Sequence, residues 1–193
     1  MTKPAKLPER EMLNSLLDYN EDTGLLYWKA RVASLFESGK HSAEHTCNRW
    51  NSKFAGKEAF TCVGTDGYRK GSINNHLYRA HRIIWKMLTG EEPPEVDHIN
   101  GTRLDNRKVN LRGVTSTENR RNAARHRDTK SPHNGVRKAP QGGWQSYITV
   151  DYKWINLGCY SSLEEAVAAR KAGELAFGFH PNHGRAAALP KEA

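Results

Sequence analysis

The chain has little with which to build one large core or a covalent framework. Only 37% of its 193 residues are hydrophobic, and the mean hydropathy is −0.80. That length suits one ordinary domain or two small ones, and the low apolar content favours small modules on a polar connector. There are three cysteines, Cys47, Cys62 and Cys159, an odd count with no C-x-x-C pair. This argues against a disulfide framework and a structural zinc site and suits a reducing, cytoplasmic setting. No apolar run approaches the roughly 18 residues of a membrane span, so no membrane partner is expected. The opening MTKPAKLPEREML has lysines but no apolar stretch behind them, unlike a signal peptide.

Positive charge is in excess. The net charge is +9 and the isoelectric point about 9.6. Residues 101–140 alone hold eleven Lys and Arg against three Asp and Glu, a local excess of +8. Such a bias points to a polyanionic partner; the plainer reading is a solvated face that keeps the protein in solution.

Local patterns outline the elements. Residues 1–10 are polar and proline-bearing and read as a tail. Met12, Leu13, Leu16 and Leu17 are spaced as one face of a helix over 11–17. Asp22-Thr23-Gly24 is a turn before a strand at 25–28, and 30–60 gives weak signals. Residues 68–73 and 76–81 form a predicted hairpin joined at Asn74-Asn75. A helix over 83–88 stops at Thr89-Gly90, and a strand over 96–100 enters a turn at Asn100-Gly101. A second helix is predicted over 115–127, with Thr115 and Glu118 as a capping box. Residues 123–133 read as a basic linker. Beyond it, 135–137, 144–150 and 154–160 are three short strands. Two overlapping S-x-x-E boxes at Ser161 and Ser162 then open a helix whose apolar spacing runs from Leu163 to Leu175.

The segment 81–122 holds the chemistry-bearing residues: His81-Arg82, Asp97-His98, Asp105-Asn106-Arg107, Asn110-Leu111-Arg112 and Glu118-Asn119-Arg120. Hydrolysis of a phosphodiester needs an activated water and neutralised phosphate charge. An imidazole can take a proton near neutral pH, and a hard cation takes carboxylate and amide oxygens. Neighbours on an extended strand point to opposite sides, so Asp97 can face an ion while His98 faces a water if the strand end twists. The bland alternative is that these are turn and cap residues.

Asp97-His98, with Asn110 twelve and Asn119 twenty-one residues after His98, resembles the HNH endonuclease family, in the subgroup common among phage and intron-encoded homing endonucleases. The resemblance extends over roughly 11–122, with a core at 76–122. It implies a β-β-α core around one divalent ion, Mg²⁺ first and Mn²⁺ as the alternative. By the same resemblance His98 is the general base, Asp97 and Asn119 bind metal, and Asn110 holds the loop and the imidazole orientation. The third motif position is Asn119 rather than His, as is usual in the homing subgroup. Arg82, Arg107, Arg112 and Arg120 are candidate phosphate clamps. His81 is either a phosphate contact or a packed histidine, with the packed role favoured.

Residues 134–190, through Gly135-Val136-Arg137, Trp144 to Ile148, Leu157 to Tyr160 and the helix from Glu164 to Arg170, resemble the Apetala-two/ethylene-response-factor DNA-binding domain. That resemblance implies a three-stranded antiparallel sheet laid in the major groove. Arg137, Lys138, Trp144, Gln145 and Lys153 are its outward-facing DNA candidates, and Trp154 a weaker one.

The expected protein is therefore α+β: a metal-dependent nuclease core followed by a small sheet plus one helix. It would cut double-stranded DNA as a monomer or homodimer, and the resemblance implies homing or site-specific cleavage by a protein encoded by a phage or other mobile element. The alternatives are a DNA-binding regulator with an inactive nuclease core, and an RNA-directed protein.

Overall fold

A computed structural model describes residues 6–123, 131 and 133–185. It divides into two units, Met1–Val114 and Thr115–Ala193. Most of the expected linker, 124–130 and 132, lies outside the described residues, as does 186–193.

The first unit begins with α1 (Arg10–Leu16), which buries Leu13 and Leu16 and runs into β1 (Leu17–Asn20). The residues before it depart from the expected tail. Leu7 is 5% exposed within the core, and the Tyr78 hydroxyl donates to the Lys6 carbonyl. An apolar side chain at that position gains by burial, which proline content alone does not reveal. β1 pairs antiparallel with β2 (Leu25–Trp28), which pairs in turn with β3 (Glu58–Ala59). Between them lies α2 (Ala43–Phe54), capped by the Ser42 hydroxyl. The guanidinium of Arg31 stands 3.9 Å from the Trp50 ring and 5.4 Å from that of Trp28, a cation–π clamp.

β4 (Cys62–Val63), β5 (Arg69–Ile73) and β6 (His76–Arg79) form a second antiparallel sheet. Asn74 and Asn75, both at positive φ (48° and 62°), close the β5–β6 hairpin, the backbone demanded by a tight two-residue turn. α3 (Ala80–Thr89) follows, burying Ile83, Ile84 and Met87. It ends at Gly90 in the left-handed region (φ 78°), while Arg10 donates to the Met87 and Leu88 carbonyls at the same end. β7 (Glu95–His98) and β8 (Leu111–Val114) complete the unit as an antiparallel pair, with Asp97 opposite Arg112 and His98 opposite Leu111. β7 ends at His98, two residues before the expected Asn100, because Gly101 N turns back to the His98 carbonyl.

The second unit opens with α4 (Ser116–Arg120), whose Thr115–Glu118 capping box forms as expected. The helix stops at Arg120 rather than running to 127: Asn122 N and Ala123 N close onto the Asn119 and Arg120 carbonyls in tighter turns. Arg121 and Ala123 carbonyls accept from His180 N and Gly184 N, and Arg121 pairs with Asp151 at 3.7 Å. These bonds group α4 with the C-terminal sheet. That sheet has β9 (Val136–Lys138), β10 (Trp144–Val150) and β11 (Lys153–Tyr160) in the order β11-β10-β9, all antiparallel. Asp151 and Tyr152, at φ 48° and 64°, turn β10 into β11. α5 (Leu163–Ala176) starts at Ser162, whose box with Glu165 is the one of the two overlapping boxes that forms. Ala166 is buried, but Leu175 is 72% exposed, so the apolar face ends before it.

One turn fixes the later site. Gly24 sits at φ +71°, and a Cβ there would stand 2.6 Å from Arg107 N and from the Asn106 carbonyl carbon. Gly24→Ala is therefore expected to destabilise the fold by about 1–3 kcal/mol, read as a lowered urea midpoint. An unchanged midpoint would mean that the 106–107 backbone yields freely.

Candidate active site

The β7–β8 pair places the two central residues by simple alternation. Val96 and His98 are buried, while Glu95 and Asp97 lie on the other side of the strand. His98 is 3% exposed, and its Nε2 lies 2.9 Å from Asn106 Oδ1. With the amide oxygen accepting, Nε2 carries the imidazole proton and Nδ1 carries the lone pair. Burial lowers the imidazole's proton affinity, while the bond to Asn106 and the charge of Asp97 push the other way. The net direction is down, which favours the neutral, proton-accepting ring.

The loop from Ile99 to Asn110 is stapled by its own amides. Asn110, 5% exposed, accepts from Asn100 N through Oδ1 and donates from Nδ2 to the Asp105 carbonyl. Its carbonyl accepts from Ile99 N. Asn110 thus holds the loop, while the hydrogen bond that orients the imidazole comes from Asn106. The resemblance assigned both tasks to Asn110; the loop's path divides them. Asn106 is 1% exposed, its carbonyl accepts from the Tyr19 hydroxyl at 2.9 Å, and its Nδ2 is buried without a protein partner among the described residues. Tyr19 is pushed up to about 12 by burial, so that hydroxyl stays a donor. Asp105 is the loop's charged hub: a two-pronged bond from Arg107, with Asn100 Nδ2 beside it, brings its carboxyl down to about 2.

His81, 4% exposed, packs edge-on to His98 with ring centroids 5.1 Å apart and lies 4.7 Å from the Tyr68 ring. Burial, with the charges of His98, Arg79 and Arg82, lowers it to about 3, so at neutral pH it is a packed neutral ring rather than a cation for phosphate. The Arg79 and Arg103 guanidiniums flank Tyr68 at 4.9 and 5.2 Å. Asp66 receives Arg79 and Lys70. Burial opposes its ionisation, but these bonds prevail and bring it to about 2. Tyr68 and Arg103 are not among the sequence candidates, and Asn106 stands there within Asp105-Asn106-Arg107 with no role of its own. Asn106 differs there in no way from Asn100 or Asn110, and only the loop's path selects it.

The four expected phosphate clamps all have protein partners. Arg82 donates to the Pro93 and Pro94 carbonyls, Arg107 holds Asp105, and Arg120 reaches the Tyr152 hydroxyl at 3.3 Å. Arg112 donates to Asp97 Oδ2 from Nε at 3.1 Å and from Nη2 at 2.8 Å. Asn119 lies on α4, in the second unit.

In that unit, the register sorts the sheet residues. Ser146 and Ile148 are buried, as is Val136 opposite Ser146. Their alternates Arg137 and Gln145, mutual partners, lie on the opposite face with Tyr147, Trp154 and Asn156. Arg137 Nε donates to Gln145 Oε1 at 3.0 Å, and Tyr147 stacks on Trp154 at 5.8 Å. Trp154 is 51% exposed and joins this face fully. By the same alternation Trp144 and Lys138, which pair with each other, and Lys153, opposite Val150, fall on the buried residues' side of the sheet. The five candidates therefore divide between the two faces, since period two allows only alternate residues on one face; Lys138 and Lys153 are exposed all the same, and Trp144 is half-buried.

The strand pair thus brings together an imidazole bonded to Asn106, the carboxylate next to it in sequence and several guanidinium groups. Residues 78–121 match the family model of HNH endonucleases, which spans α3, the β7–β8 pair and α4 and supports a nuclease acting on DNA. Searches of curated proteins and of solved structures found no significant match.

The donor chemistry suits a hard cation. Asp97 supplies a carboxylate, a hard oxygen donor, whose Oδ2 takes the two guanidinium bonds of Arg112. Among the described residues no group of three His, Cys, Asp or Glu side chains is placed to hold a metal. An ion here would draw most of its shell from water and phosphate, as Mg²⁺ does. No helix among the described residues is long and apolar enough to cross a membrane.

Proposed function

We infer that the protein is a divalent-metal-dependent DNA endonuclease of the homing type, and that the exposed face of its C-terminal sheet, led by Arg137, Gln145 and Trp154, binds duplex DNA in the Apetala-two manner. The observation that carries the reading is the Asp97–His98 pair on β7, with the imidazole held by Asn106, inside the segment that matches the HNH endonuclease model. His98 Nδ1 takes the proton of the attacking water. Asn106 keeps the ring in the required tautomer, and Asn110 keeps the loop that carries Asn106 closed. Asp97 and Asn119 are the proposed oxygen ligands of one Mg²⁺ or Mn²⁺. When bound, that ion supplies charge neutralisation at the scissile phosphate and makes water easier to deprotonate.

The test is supercoiled plasmid incubated with the full chain and Mg²⁺ or Mn²⁺, with chelator and with Asp97→Asn as controls. Nicked or linear DNA is expected from the wild type only. Nicks alone fit a monomer, and linear product fits a homodimer. Plasmid untouched by the wild type under both metals would leave the DNA-binding regulator as the better reading.

A further inference from the structure

We propose that Arg112 is a positioning residue that competes with the divalent cation for Asp97 and yields it when a DNA phosphate takes the guanidinium, coupling cation binding to DNA binding. The inference rests on the reading of Asp97 as a metal ligand. Asp97 and Arg112 are direct partners across β7 and β8, so the strand register itself holds them together. Both guanidinium nitrogens fall on one oxygen, Oδ2, at 3.1 and 2.8 Å. The carboxylate side chain is 10% exposed and the guanidinium 31%, so the anion is held in place while its cationic partner borders solvent. A guanidinium matches a phosphate as well as it matches a carboxylate, in the same forked geometry. With Arg112 on Asp97, an incoming dication meets a positive charge a few ångströms away. Once the guanidinium turns to a phosphate, that repulsion is offset by the phosphate's own charge. Linkage makes the effect mutual: whatever factor DNA adds to cation affinity, the cation adds to DNA affinity.

The experiment uses the full chain carrying His98→Ala, so that duplex DNA is not consumed, and follows Mn²⁺ binding by electron paramagnetic resonance with and without a duplex. Without DNA, Arg112→Gln should bind Mn²⁺ about tenfold more tightly than the parent, the like-charge repulsion being partly screened by solvent. Arg112→Lys, which restores the charge, should return affinity towards the parent. Added duplex should tighten Mn²⁺ binding in the parent and change it little in Arg112→Gln. Equal or weaker binding by Arg112→Gln without DNA overturns the competition. Asp97→Asn separates the two levels. If it binds Mn²⁺ as the parent does, the ligand reading fails and takes this inference with it. If it loses binding while Arg112→Gln gains none, only the competition is wrong.

Discussion

Replacing His98 with alanine is expected to slow plasmid cleavage by about 10²- to 10⁴-fold, the usual worth of a positioned general base, while duplex binding holds. The separation follows from placement. His98 is 3% exposed on the inner side of β7, so it contributes nothing to the surfaces that would grip DNA before the reacting phosphate arrives. Asn106→Leu extends the argument. Leucine is close in size but cannot accept from Nε2, so the imidazole loses the bond that fixes its proton on the far nitrogen. Partners that orient a functional histidine are commonly worth about 10–100-fold, and the loss should fall on kcat rather than KM. Asn110→Ala should behave differently, lowering stability together with activity, because its amide ties Asn100 N to the Asp105 carbonyl. Cleavage by His98→Ala at the wild-type rate would place water activation elsewhere in the chain.

Features written in short-range code were legible in the sequence. The Asn74-Asn75 turn, the Thr115–Glu118 box and the Ser162–Glu165 box each depend on residues within one turn of chain, and each formed. α2 escaped notice because it is largely polar and buries only Cys47, leaving periodicity little to report. The end of the helix after Thr115 is not legible, since a good cap fixes where a helix starts and says nothing of where it ends. Contacts that depend on pairing were out of reach. The Asp97–Arg112 ion pair exists because residues fifteen apart fall opposite one another across β7 and β8, and register is settled by burial of Val96 and Leu111, not by either charged residue. The C-terminal sheet teaches the same point. Its strands are legible from their alternation, yet the five candidate DNA contacts fall on both faces, because face assignment needs a register as well as a strand.

The first unit should lose stability on acidification through His81. In the fold this ring is 4% exposed and is lowered to about 3, by burial first and then by the charges of His98, Arg79 and Arg82, with Asp66 opposing. In the unfolded chain it returns to an ordinary value near 6.5. Between those values the unfolded state holds a proton that the folded state refuses, so stability rises with pH across the window. The contribution is complete above about pH 6.5 and declines by about 1.4 kcal/mol per unit below it, reaching a loss of about 2 kcal/mol at pH 5. Hydrogen exchange at the Ile83 and Ile84 amides, in the α3 core beside His81, reads this opening locally. His81→Gln replaces the ring with a group that does not titrate. Whatever it does to stability at pH 8, the slope between pH 6.5 and 5 should shrink. A slope unchanged in His81→Gln would show that the packed ring takes up its proton without opening the core, and that the acid sensitivity belongs to another group.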